Sequence, residues 1–515
     1  MGTRRIVIVI LALIALVSVF QMILIGSDAS MEPASTVSSR VPSREFVVVF
    51  VTHKRTDLLE VSMRSFLGQV HADKFDILVS LDAQDAQSRV QSLISTLRTN
   101  YSLAPDRMEL VMKPAQPFKR LAFMLPGDQK IDQHMFFALK RAFFPEYKYG
   151  ILLEEDLELS PDFLDLMVSA APLLDSDDSL FCISGWNDDG SPQRAAAPGR
   201  LIRTDVFNNL SFLLRRQEAL KIIDRWPGYD YWGWDHWFRR EVATKQRECI
   251  VPELSRVRHI GSGGRHVKDN SEFMLQPFSS LQGGRGIFDA SLRSVAPEAY
   301  DAALRDRLEA AQLVDPETVM RDDFSFEEGE DYIVPIKYED CADYFLMRKA
   351  SMSNREVCRM THRGLVEARP HANTTVFFVD RRAGAEWLPS EWRTKHAGLR
   401  ILPTSGGQSC DDRCAEVGFV CSSHDAAHVN TCDAIESVIT CETCSITHEH
   451  RGAAVSPPTE SGMWSRFRKP TTDKCFISDQ SGFFCDDPSP QERSILCPCV
   501  PTVSFLKWGF DYNRK

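Results

Sequence analysis

From residue 45 onward the apolar positions follow two alternating rhythms. Glu45–Val51, Phe75–Leu81, Tyr149–Leu153 and Leu180–Ser184 are short, nearly continuous apolar runs, the pattern of strands covered on both faces. Between them, Thr56–Leu67, Lys130–Phe144 and residues 162 to about 174 carry apolar residues at helical spacing. Strands alternating with helices predict an α/β fold built on a mainly parallel sheet. Further on, residues 297–312 read as a charged helix and residues 313–350 as acidic and weakly patterned. A β-leaning run, Thr374–Asp380, precedes Trp387–Trp392 and closes this first unit, which we bound at 45–395. A cysteine-rich module spans 396–515, and no internal repeat is found.

The amino-terminal pattern is different. Ile6 to Ile25 is apolar except for Ser18 and Gln21, and its 20 residues suffice to cross a bilayer as a helix. Arg4 and Arg5 precede it while Asp28 and Glu32 follow, which predicts a short cytosolic tail at 1–5 and a type II signal anchor at 6–25. A Ser-, Pro- and Ala-rich stem at 26–44 follows. A cleaved signal peptide is the competing reading, although such peptides have shorter apolar regions. Both readings place the rest of the chain in a secretory lumen. The sequons Asn100-Tyr-Ser, Asn209-Leu-Ser and Asn373-Thr-Thr agree with that compartment. So do the cysteines, since 10 of the 14 fall between Cys410 and Cys499. A net charge of −11 over 515 residues argues against nucleic acid as a partner.

Two acidic features could carry chemistry. The run Tyr149-Gly-Ile-Leu-Leu153 ends in Glu154-Glu155-Asp156. In open α/β sheets the carboxyl edge of the strands is where ligands bind. Hard carboxylate oxygens there suit a Mg²⁺- or Mn²⁺-class cation bridging phosphates. The plainer reading is a solvated acidic turn. The second feature is Tyr231-Trp-Gly-Trp-Asp-His-Trp-Phe-Arg-Arg240, where Asp235 sits among aromatic residues beside His236. A carboxylate in such surroundings could take a proton from a hydroxyl nucleophile. The alternative is an aromatic core helix on which Asp235 caps or makes a salt bridge.

Together these segments resemble a known family. Leu153-Glu-Glu-Asp-Leu-Glu-Leu-Ser-Pro-Asp-Phe163, Cys182-Ile-Ser-Gly-Trp-Asn-Asp188, Trp234-Asp-His-Trp-Phe-Arg239 and Cys249-Ile-Val-Pro-Glu-Leu-Ser-Arg256 occur in the order found in the β-1,2-N-acetylglucosaminyltransferases that act on mannose. One branch is N-acetylglucosaminyltransferase I of N-glycan processing; the other acts on protein O-linked mannose. The resemblance covers about residues 45–390. It implies a GT-A fold, UDP-GlcNAc as donor, Mn²⁺ and inversion at the transferred sugar. By motif, Asp156 would bind the metal, Asp235 would be the catalytic base, and Glu155 would lie against the donor nucleotide, with Glu154 structural. Arg55 and Asp82, at the ends of the first two strands, would hold the uridine end of the donor, and His134 matches a donor-binding histidine. Cys182 and Cys249 resemble the family's disulfide pair; a buried free thiol is the alternative for either alone.

Two segments depart from the family pattern. A Gly-Leu-Gly-Trp-like segment near position 210 is replaced by Asn209-Leu-Ser-Phe212. The glycine-rich loop over the donor reads Gly261-Ser-Gly-Gly-Arg-His266, with His266 where a serine or asparagine is the family's donor contact. The tail has its own likeness. Gly407-Gln-Ser-Cys-x3-Cys-x2-Val-Gly-x2-Cys421, followed by Cys441, Cys475, Cys485, Cys497 and Cys499, resembles the C-terminal module of N-acetylglucosaminyltransferase V. Cys432 and Cys444 are additional and suggest an extra bridge. Cys441-Glu-Thr-Cys444 could also be half a zinc site, which an oxidising lumen disfavours. The resulting expectation is a Golgi membrane enzyme that adds GlcNAc in β-1,2 linkage to a terminal α-mannose of N-glycans. O-linked mannose is the rival acceptor, and an inactive sugar-binding relative is the reading of another class.

Overall fold

The computed structural model describes residues 44–114, 126–188, 190, 197–226, 233–245, 247–261, 286–337, 344–350, 361–371, 373–447, 449, 451–456, 471–478 and 483–501. The expected anchor at 6–25, nearly all of the stem and loop residues 262–266 lie outside them. Among the described residues, no helix is long and apolar enough to cross a membrane.

An eight-stranded sheet forms the centre, in the order β3-β2-β1-β4-β8-β6-β9-β7. Its strands are β1 (Phe46–Thr52), β2 (Phe75–Leu81), β3 (Met108–Met112), β4 (Tyr149–Glu154), β6 (Leu180–Ser184), β7 (Leu201–Thr204), β8 (Phe212–Arg215) and β9 (Glu248–Pro252). Neighbours are parallel from β3 through β4; β8 and β7 run against the rest, while β6 and β9 are parallel. A short β5 (Leu157–Leu159) leaves the sheet beyond β4 and pairs antiparallel with β10 (Val257–His259). The expected GT-A type α/β architecture with a mainly parallel sheet is therefore present.

The strands form where the sequence places β-branched and aromatic residues in unbroken runs. Val47, Val48, Val49 and Phe50 are all fully buried in β1. Helix α1 (Thr56–Leu67) matches its predicted span and turns Leu59, Met63 and Phe66 inward. The Phe66 ring meets Phe50 and Phe75 edge-on at 5.7 and 5.5 Å. Burying such a side chain contributes roughly 1.5–3 kcal/mol. The other face is covered by α2 (Pro126–Phe143). There Met135, Leu139 and Phe143 join a second cluster with Val47, Val49 and the aromatic helix α3 (Trp234–Lys245).

Two expectations are corrected. The helix expected over 162–174 is broken: one helix covers Phe163–Ala170 and a second Leu173–Ser176. Pro172 lies between them, and proline lacks the N–H that would continue the ladder. Residues 313–350 are not featureless. β11 (Gln312–Leu313) and β12 (Tyr332–Ile336) join β13 (Leu365–His371) and β14 (Thr374–Asp380) in a four-stranded sheet, order β11-β12-β14-β13.

The cysteine-rich region carries a further sheet, from β15 (Arg400–Pro403) to β20 (Ser494–Pro501). Disulfides link Cys410 to Cys497, Cys414 to Cys499, Cys421 to Cys485, Cys432 to Cys444 and Cys441 to Cys475. The expected extra bridge is the Cys432–Cys444 pair. Both cysteines of Cys441-Glu-Thr-Cys444 are oxidised to other partners, which removes the half zinc site. In the central sheet Cys182 and Cys249, register partners on β6 and β9, are bonded as the resemblance implied.

Candidate active site

The site arises from strand order. β1 lies between β2 and β4 and is parallel to both, so the three strands end at one edge. In register, Thr52 of β1 faces Leu81 of β2, and Val51 faces Glu154 of β4. The residues just beyond them therefore share that edge: His53, Lys54 and Arg55 after β1, Asp82 after β2, and Glu155 and Asp156 after β4. Ile260 N–H donates to the Asp156 carbonyl at 2.9 Å, which lays the end of β10 across the same place.

Glu155 is buried, and its own chain engages both carboxylate oxygens. Oε2 accepts from the Thr52 hydroxyl at 2.5 Å and from the His53 N–H at 2.8 Å, and Oε1 accepts from Arg55 Nε at 2.6 Å. This carboxylate thus fixes the β1–α1 connection and aims Arg55. The Arg55 Nη2 in turn reaches Asp156 Oδ2 at 2.7 Å. These two acids raise the Arg55 pKa despite the opposing effect of burial.

Asp156 is 3% exposed, and its Oδ1 has no hydrogen-bond partner among the described residues. A buried carboxylate oxygen without a partner costs free energy unless a ligand or cation completes it. His259 Nε2 lies 3.3 Å from Asp156 Oδ2, and a Cβ on Gly261 would come within 2.3 Å of that oxygen. Glycine is what lets β10's continuation pass so close. The one group of three possible metal ligands found among the described residues lies elsewhere, at Asp411, Cys421 and Cys485. Its two cysteines are bonded to each other, so they offer no thiolates.

Glu154 is the last residue of β4. Desolvation, together with the nearby charges of Asp156 and Asp235, pushes its pKa up to about 8. Asp235 is the second residue of α3, and its Oδ2 accepts from Arg239 Nη1 one turn later, at 2.7 Å. Burial alone would raise the Asp235 pKa; Arg239 and His236 outweigh it and hold the carboxyl below its ordinary range. Trp234, Trp237 and Phe238 pack into the core, so this part of the aromatic segment is packing, while Asp235 pairs with Arg239.

Asp82 Oδ1 lies 2.6 Å from His53 Nδ1, and Asp82 Oδ2 lies 3.8 Å from His134 Nδ1. His134 projects from α2 and shares a 2.9 Å hydrogen bond between its Nε2 and the Ser80 hydroxyl. Burial drives its pKa down to about 4, against the pull of Asp82, so the ring is neutral. The structure thus gathers Arg55, Asp82, His134, Glu155 and Asp156 at the strand edge. His266 lies outside the described residues. Sequence reasoning missed His259, Gly261 as a contact of Asp156, and the Arg239 clamp. Only the i, i+4 spacing of Asp235 and Arg239 could have signalled one of them.

The model of the GNT-I family matches residues 26–391. A protein of Arabidopsis thaliana named alpha-1,3-mannosyl-glycoprotein 2-beta-N-acetylglucosaminyltransferase is 30% identical over 235 residues, which are 45% of this chain and 50% of that protein. The chain therefore spans about half the length of this curated relative. Solved structures are more remote. GalNAc-T7 with UDP, GalNAc and Mn²⁺ is 13% identical with a TM-score of 0.31, covering 52% of this chain and 50% of that one. The mannosyltransferase PcManGT of Pyrobaculum calidifontis, in complex with GDP-Man and Mn²⁺, is 15% identical with a TM-score of 0.27, covering 53% and 76%. S. aureus TarS 1–349 in complex with UDP-GlcNAc is 14% identical with a TM-score of 0.28, covering 46% and 62%. Likenesses this remote carry no argument about substrate or metal.

Proposed function

The chain belongs to the GNT-I family, and from that premise we propose that it transfers GlcNAc from UDP-GlcNAc, with inversion, to the 2-hydroxyl of a terminal α-mannose on N-glycans. The same reading makes it a Mn²⁺-dependent, type II Golgi membrane enzyme whose catalytic part is lumenal. The observation that carries it is the buried Oδ1 of Asp156 at the sheet edge, which has no hydrogen-bond partner among the described residues.

The residues fit a divalent cation held by one protein carboxylate, since Asp156 keeps one oxygen free of its own chain. Asp156 would hold the ion, which when bound neutralises charge developing on the departing diphosphate. Arg55, fixed by Glu155, keeps Asp156 oriented from its other oxygen. Asp82 and neutral His134 sit at the adjacent strand end, where the nucleotide would lie. Asp235 takes the proton from the attacking mannose hydroxyl. A carboxylate held ionised by Arg239 is ready for that role at neutral pH, although the same pairing makes it a weaker base. One in-line displacement needs one base and no nucleophilic carboxylate, which distinguishes inversion from double displacement.

The test measures UDP released from UDP-GlcNAc by the full chain, with a mannose-terminated N-glycan or an O-mannosyl peptide as acceptor. Release with the N-glycan, lost on chelation and restored by Mn²⁺, is the expected result. Release with the O-mannosyl peptide alone would reassign the acceptor. No release with either, despite donor binding, would make the protein a sugar-binding relative rather than an enzyme.

A further inference from the structure

The family's glycine-containing segment near position 210 is Asn209-Leu-Ser-Phe212 here, and its two polar residues have different consequences. Ser211 takes the left-handed conformation at φ 59°, is buried, and among the described residues has no partner for its hydroxyl. It keeps a turn that glycine would make at no steric cost. Phe212 then opens β8, opposite Leu152 of β4, so the segment arrives two residues from the acidic tip.

Asn209 adds something that glycine cannot supply. Its Oδ1 accepts from Arg239 Nη2 at 3.1 Å, while Nη1 of the same guanidinium donates to Asp235 Oδ2 at 2.7 Å. The Arg239 and Asp235 side chains are 15% and 24% exposed, so the pair is screened from water but open on one side. A guanidinium with one anchor can rotate about its long side chain. Bonded at both forks, it holds the carboxylate in one orientation.

We infer that Asn209 is a positioning residue for the reaction: its amide oxygen fixes Arg239 and, through it, the carboxylate of Asp235. This rests on Asp235 being the base. A glycan on the Asn209 amide nitrogen would place bulk beside this half-buried contact, so the inference requires that Asn209-Leu-Ser stay unmodified. Asn100, exposed at a helix end, and Asn373, exposed between β13 and β14, have no such restriction.

The experiment compares Asn209→Ala, Arg239→Met, the double variant and Asp235→Asn in the full chain. Asn209→Ala is expected to lower kcat about tenfold, the scale of one hydrogen bond to a charged group, and to leave the KM for UDP-GlcNAc within about twofold. Added to Arg239→Met, it should cause no further loss, because it acts through Arg239. Wild-type kcat in Asn209→Ala beside an inactive Asp235→Asn would overturn the role of Asn209 and leave the base in place. Full turnover in Asp235→Asn would overturn the base and this inference with it. Should Asn209→Ala not fold, peptide mass spectrometry of the unaltered protein from a glycosylating host decides. Unmodified Asn209 beside an occupied Asn100 supports the inference, and a glycan on Asn209 overturns it.

Discussion

Among the described residues, two of the buried clusters of acids and bases are built on opposite plans. One lies around Arg203 and joins the central sheet to the four-stranded sheet. Arg203 pairs with Glu248 at 2.6 Å and Asp177 at 2.9 Å, and its Nη1 also donates to the Val295 carbonyl at 2.6 Å. His362 sits between Glu248 at 2.5 Å and Asp301 at 3.2 Å, and Arg363 pairs with Asp301 and Glu386. Nearly every charge there meets its opposite, and Glu248 is held well below the usual glutamate range. The other cluster is the strand edge, where Glu154, Glu155 and Asp156 crowd around Arg55. Glu154 responds by moving its pKa up rather than down. Balance marks a joint; an uncompensated excess of one sign marks a place that expects a partner of the other.

Variants can break or sharpen this contrast. Asp156→Ala should have the largest effect, abolishing Mn²⁺-dependent binding of UDP-GlcNAc in calorimetry without lowering Tm. A lower Tm with donor binding intact would make the strand edge a joint as well. Asp235→Asn should bind donor as before and lose about 10²- to 10⁴-fold in kcat, the usual range for a general base. On the balanced side, Glu248→Ala leaves Arg203 and His362 without their shared partner. Breaking such a buried pair costs about 3–5 kcal/mol, readable as a shift in denaturant midpoint, whereas metal-dependent donor binding at low temperature should survive.

The smallest expected effect has opposite signs in the two clusters. His134 has its pKa lowered to about 4, so its contribution is full above the unfolded value near 6.5 and is lost as pH falls. The loss reaches roughly 3 kcal/mol once pH drops below the folded value. His362 has its pKa raised: burial opposes the charged ring, but Glu248 and Asp301 prevail. Its contribution is present below about 6.5 and is lost as pH rises through the folded value. Between about pH 7 and pH 5, the Tm of His134→Gln should therefore gain on the unaltered protein, while that of His362→Gln should fall behind. Parallel slopes would refute the contrast.

Much of the strand edge was legible because its parts are contiguous in the chain. Glu154, Glu155 and Asp156 come directly after a single apolar run, and Arg55 and Asp82 each sit just beyond another. Parallel strand order does the rest. His259 and Gly261 were not legible, since they reach Asp156 only through the antiparallel β5–β10 pairing across about 100 residues of chain. The Asn209–Arg239 contact depends likewise on how β8 meets α3. The four-stranded sheet escaped for another reason. Its strand β12 is only five residues long and flanked by acidic turns, so local composition hid a segment that distant partners bury. The aromatic segment shows the opposite case: its sequence left open whether the rings surround a reactive carboxylate or fill the core, and three of them are core.

Arg382 is the second residue after β14 and binds Asp425, a fully buried residue of the cysteine-rich region that also accepts from the Ser422 hydroxyl at 2.7 Å and the His396 N–H at 2.9 Å. Asp425 lies between Cys421 and Cys432, whose bridges run to Cys485 and Cys444. Arg247, just before β9, reaches Asp486 at 3.5 Å, next to that same Cys485. The late-synthesised cysteines therefore bear on contacts made by much earlier parts of the chain. The cysteine-rich tail is thus tied by these acids to two arginines of the earlier chain, so removing Asp425 or Asp486 by truncation would loosen the ends of β14 and β9 as well.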